Sequence, residues 1–122
     1  MPYINDTAFD AALAVIRDNA DRLDITYTQE ATTSTEARTT YTCGNKASPT
    51  INAPEAGDVD GRKIVVAAIS DGSVTATQTA GWWALSNSTI LHAAGALSSS
   101  QAVTSGNQFT LGAFDITIRD AT

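Results

Sequence analysis

The sequence predicts a mainly β protein with one N-terminal helix, its strands folded as an antiparallel β-sandwich or barrel-like domain. Three observations carry that prediction. Ser and Thr fill 28 of the 122 positions and charged residues only 16%, against roughly a quarter in an ordinary soluble domain. Thr favours strands, so a Thr-rich, charge-poor chain that keeps its aliphatics leans toward β. Apolar residues follow helical spacing only near the N-terminus, after which the period falls to two.

The helix is expected over residues 6–19. Asn5 or Asp6 can cap it, and Asp6 and Asp10 sit where a helix N-terminus prefers negative charge. Phe9, Ala12, Leu13, Ile16 and Ala20 recur at spacings of three and four and form one apolar stripe. The rest of the chain, 22–122, reads as the β-domain of a single domain spanning 1–122, long enough to bury a core without metal or disulfide. Leu23, Ile25 and Tyr27 alternate with polar residues, the pattern of a half-buried strand. Residues 30–40 lack large apolar side chains and predict a loop or an edge strand. Tyr41–Cys43 predicts a short strand before a turn at Gly44-Asn45. Residues 47–62 predict a long loop, with Asp60-Gly61 a strong turn signal.

Lys63–Ser70 predicts a central strand, Asp71-Gly72 a two-residue hairpin turn and Ser73–Ala80 the returning strand. Gly81 permits a bend or bulge. Trp82–Leu85 continues the pairing, Ser86–Thr89 turns, and Ile90–Leu97 returns before a polar break at Ser98–Ser100. Val103, Phe109, Leu111, Phe114, Ile116 and Ile118 carry the last strands, punctuated by Ser105-Gly106-Asn107 and Gly112. Strands joined in this order form an antiparallel sheet that must fold over itself, with the helix capping one end or face.

The net charge is −6, and the seven basic residues are scattered, so the clustered basic face that phosphate backbones require is missing. No apolar run approaches the ~18 residues of a membrane span. The first ten residues lack the basic and apolar regions of a secretory leader, and folding in a cytosol is expected. These readings predict neither nucleic-acid nor membrane partners. A lone cysteine, Cys43, excludes an internal disulfide and a cysteine zinc site. It reads as a reduced side chain or as a candidate intermolecular disulfide formed in an oxidising medium.

Catalysis needs converging titratable groups. His92, the single histidine, lies in the apolar run ILHAAGAL, and no Gly-x-Ser-x-Gly elbow accompanies it. Asp58-Val59-Asp60-Gly61 begins like a calcium loop, but its following positions fail the pattern. Adjacent Trp82 and Trp83 face opposite ways on a strand, so one belongs to the core and the other to a surface. No catalytic, cofactor-binding or metal residues are expected, and no cofactor. Thr75, Thr77 and Thr79, predicted to share a strand face, join Trp82, Trp83 and residues 31–40 as candidate interface.

The C-terminal third resembles small structural proteins of tailed bacteriophages. The likeness runs through Trp83-Ala84-Leu85, Ile90–Leu97, Ser100–Asn107, Phe109-Thr110-Leu111 and Phe114–Ile118, wording that closes a small β-domain in those proteins. The helix and the segments Gly44–Lys46 and Asp60–Lys63 look similar too, while Cys43 departs from the usual wording. The resemblance implies a non-enzymatic virion protein, assembled in a host cytoplasm, that decorates the capsid or sheathes the neck and collar. Its partners would be itself, as a homo-trimer or other cyclic oligomer, and other virion proteins such as the major capsid, portal or neck proteins. The alternative is a tail-associated receptor- or glycan-binding module.

Overall fold

The computed structural model describes residues 4–119. Helix α1 (Asp6–Asn19) forms where the apolar spacing predicts it. Asn5 caps it, its side-chain oxygen accepting from the Thr7 backbone N–H at 2.8 Å, which satisfies a donor that the first turn leaves unpaired. Phe9 and Leu13 are buried, and Ile16 and Ala20 join the main core. Ala12, at the margin of the stripe, is exposed.

Nine strands follow among the described residues: β1 (Arg22–Thr26), β2 (Thr42–Ala47), β3 (Glu55–Ala56), β4 (Arg62–Val66), β5 (Ile69–Val74), β6 (Gln78–Ser86), β7 (Leu91–Val103), β8 (Gln108–Leu111) and β9 (Phe114–Ile118). They build a six-stranded sheet in the order β7-β6-β1-β2-β5-β8 and a three-stranded sheet β3-β4-β9, with every strand pairing antiparallel. The sheets curl into a half-barrel, as the predicted mainly β, barrel-like class implies. Val66, Phe114 and Ile116 of the small sheet meet Leu23, Ile25, Val74, Leu85 and Phe109 of the large sheet in one core. Helix α1 lies on β4, where Arg62 Nε donates to Asp10 at 2.7 Å.

Several local expectations are corrected. Strand β1 is buried on both faces, not one. Its second face is covered by 31–40, which is neither a loop nor an edge strand: it contains one wide helical turn, Glu36–Thr40, that sets Ala31 and Ala37 against Ala84. The predicted turn at Gly44-Asn45 lies inside β2, and the predicted hairpin at Asp71-Gly72 lies inside β5. Both glycines answer to packing. A Cβ on Gly72 would overlap the Phe109 ring, and one on Gly44 would stand 2.8 Å from the Ser73 carbonyl oxygen and 3.1 Å from the Phe109 ring.

The predicted central strand Lys63–Ser70 is two strands: β4 belongs to the small sheet and β5 to the large one, with the chain crossing at 67–68. The returning strand begins later than predicted, at Gln78. The long loop 47–62 holds strand β3 and a bridge between Ile51 and Val66. Its Asp60-Gly61 turn is present, with Gly61 at a φ of +72° that favours glycine.

Candidate contact surface

From Gly72 to Phe114 the chain runs for 43 residues without an Asp, Glu, Lys or Arg. This stretch contributes the end of β5 and all of β6, β7 and β8, and more than a third of it is exposed. The two outermost strands of the large sheet, β7 and β8, both belong to it. The charged residues sit elsewhere: on α1, β1–β4 and their connections, at Asp71 in β5, and from Asp115 onward. A protein of net charge −6 therefore carries a long uncharged run that supplies both outer strands of its large sheet.

Strand β7 is not one regular ribbon. Ala80 pairs with Gln101 and Trp82 with Ala96, so Gly81 stands opposite the four residues Leu97–Ser100. The expected bulge at Gly81 and the expected polar break at Ser98–Ser100 are two sides of this one irregularity. Nothing lies within 4 Å of a Cβ built on Gly81, so the bulge needs no side-chain-free space there. A second shift, between Leu85 and Ser86, throws out His92. The His92 Nε2 sits 3.2 Å from the Asn87 side-chain amide nitrogen, and the Asn87 Oδ1 accepts from the backbone N–H groups of Thr89 and Ile90. The histidine thus braces the β6–β7 turn, and among the described residues no carboxylate is a hydrogen-bond partner of it.

The two tryptophans divide as alternation requires, though neither is fully on one side: both are half-buried. Trp83 pairs with Ile25 and Gly95, packs on the core and stacks against Phe114 with ring centroids 4.5 Å apart. Its indole overlies Gly95, where a Cβ would stand 2.8 Å from the ring. Trp82 pairs with Thr26 and Ala96 on the other face. Beside Trp83 a groove of about 430 Å³ opens between β7 and the β8–β9 connection, lined by Gly95, Leu97, Leu111 and Phe114 among others.

Thr75, Thr77 and Thr79 are all exposed but do not share a strand face. Thr75 and Thr77 fall in the β5–β6 connection and only Thr79 lies in β6. The Thr77 hydroxyl accepts from the Ser105 backbone N–H at 3.0 Å, tying this connection to the β7–β8 turn. Residues 31–40 work mainly as the cover of β1, with Ser34 donating to the Asn87 carbonyl at 2.6 Å.

Cys43 is fully buried in the main core. It is the extra residue of a bulge, since Ile25 pairs with Gly44 and Thr26 with Thr42. Burial, together with the nearby Asp24 charge, pushes its thiol up to about 11. The expectation of an intermolecular disulfide does not fit this placement, because a partner's sulfur reaches Cys43 only if the sheet opens.

Polar chemistry concentrates on the covered face of β1. Asp24 is completely buried and accepts from Arg22 at 2.8 and 2.6 Å and from the Thr42 hydroxyl at 2.6 Å. Burial raises the Asp24 carboxyl above its ordinary value, and Arg22 and Thr42 oppose that rise. Arg38 extends the network to Asp21 and the Ser86 carbonyl. The Asp58–Asp60 stretch also spends its carboxylates on cations: Lys63 donates to Asp58 at 2.6 Å and Arg119 to Asp60. Among the described residues no group of three or more His, Cys, Asp or Glu is placed to hold a metal, and no helix is long and apolar enough to cross a membrane.

No protein-family model, curated protein or solved structure matches the chain. Net charge does not reveal the uncharged run; the 43-residue gap between Asp71 and Asp115 does.

Proposed function

We propose that this chain is a non-enzymatic structural protein of a tailed-phage virion, decorating or reinforcing the head or the neck and collar. The observation that carries the reading is the uncharged run 72–114, exposed along both outer strands of the large sheet. Interface centres are depleted in charge, and an interface of about 800 Å² per partner suffices for a stable contact. Most of the residues that carry the phage likeness, from Trp83 to Leu111, lie in β6–β8 and so within that run. Copies of the chain and other virion proteins are its natural partners. Repeated weak contacts of this kind gain strength by avidity.

Mass spectrometry of purified particles, with light scattering of the isolated protein, tests the reading. The protein is expected in the particles at many copies and as an oligomer in solution. Its absence from particles, together with a strict monomer in solution, contradicts the proposal. A glycan-binding role draws less support, since Trp83 is committed to Phe114 and Trp82 is half-buried. Glycan binding abolished by Trp82→Ala would reverse that order of preference.

A further inference from the structure

We infer that the free edge of β7, along Leu91–Ala96, is where a second copy of this chain adds its own β7 in antiparallel register, continuing the large sheet across a two-fold axis. The inference rests on the self-assembly reading above and gives it a location. Strand β7 is outermost in its sheet, and among the described residues no backbone hydrogen bond outside its ladder with β6 involves Leu91–Ala96. Its outward N–H and C=O groups are therefore a template for another strand.

Exposed edges are ordinarily protected by charge, proline, a bulge or a covering element. Leu91–Ala96 (LHAAGA) has neither charge nor proline, and its small side chains let a second backbone approach closely. Two bulges are present, at His92 and at Leu97–Ser100; they leave Ala93–Ala96 as the regular stretch of the edge and so set where pairing begins and stops.

Charge selects the occupant. Two copies each carrying −6 repel wherever their acidic surfaces meet, and like charges juxtaposed across an interface are costly. The uncharged strands β6–β8 are where this chain can meet itself without that cost. Antiparallel addition of identical strands is self-complementary and closes as a two-fold contact. The groove beside Gly95 and Leu97 then lies next to the added strand.

The test is sedimentation equilibrium of the native protein, Ala96→Glu and Ser88→Glu, with circular dichroism to confirm folding and amide exchange of β7 below and above the association midpoint. Ala96 and Ser88 are both exposed, the first on the edge strand and the second in the β6–β7 turn. The native chain should associate with slowed exchange in 91–96. Ala96→Glu should weaken association at least about ten-fold, and Ser88→Glu less than about three-fold. Association unchanged by Ala96→Glu, with 91–96 exchanging as a free edge, overturns the β7 contact and leaves self-assembly standing. A native chain that is monomeric at every concentration overturns both. Equal weakening by the two substitutions assigns the effect to overall charge and likewise overturns the β7 contact.

Discussion

At the scale of single residues, the strongest commitments of this fold are the ones made away from the proposed contact. Asp24 is buried with its carboxylate bound by Arg22 and Thr42. Removing one partner of a buried ion pair leaves the other charge uncompensated, which costs several kcal/mol; Arg22 keeps some exposure, so Arg22→Ala should destabilise by about 3 kcal/mol at neutral pH in urea denaturation. Because the folded carboxyl of Asp24 is raised, proton uptake favours the folded state. Its contribution is fully present below the ordinary carboxylate range and is lost as pH rises through the raised value. The cost of Arg22→Ala should therefore shrink as pH falls from 7 toward 4, and a cost that grows instead contradicts the assignment. Cys43 supplies a second check. With its thiol at about 11 and fully buried, native labelling by a thiol reagent at pH 8 should be at least roughly a hundred-fold slower than in denaturant. Non-reducing gels of the folded protein should show no dimer; a dimer abolished by Cys43→Ser contradicts this placement.

Among the elements, the local signals and the packing signals separate cleanly. Helix α1, the Asp60-Gly61 turn, the irregularity at Gly81 with Ser98–Ser100, and strands β8 and β9 were legible because each depends on neighbours in sequence: a cap, a period, a turn residue. The misreadings cluster at Gly44-Asn45 and Asp71-Gly72, dipeptides that resemble turns. What decides them is Phe109, some 40 to 65 residues away, whose ring fills the space both glycines leave. Sequence proximity carries no trace of that contact. The split of Lys63–Ser70 into two sheets has the same origin, since β4 takes β9 as its neighbour and β5 takes β8. The consequence is testable. Gly72→Ala forces a methyl into the Phe109 ring and should cost about 2 kcal/mol or more, whereas Gly81→Ala meets no atom within 4 Å and should stay within about 0.5 kcal/mol. Thermal denaturation that ranks the two equally would contradict the role given to Phe109.

The candidate contact surface was only partly legible. Trp83 and Thr79 were placed on real strands, but Thr75 and Thr77 turned out to lie in a connection, and the free β7 edge depends on sheet order, which no local pattern reveals. On the scale of the whole molecule, the accessible surface of 6368 Å² is close to the about 6,200 Å² expected of a self-contained monomer of this mass. A protomer with this surface is expected to fold without a partner, so substitutions on the proposed contact should change association without changing the fold. The molecule divides its labour by charge: ion pairs tie β4 to α1, to Asp58 and to β9, while 72–114 stays uncharged.

That division yields the most direct test of the central claim, the dependence of self-association on salt, measured by light scattering from about 0.05 M to about 0.5 M sodium chloride, a range over which exposed charges become largely screened. Contact through an uncharged surface between two acidic protomers predicts a dissociation constant that stays constant or falls as salt rises. A constant that rises ten-fold or more would show an interface held by ion pairs and would contradict the account.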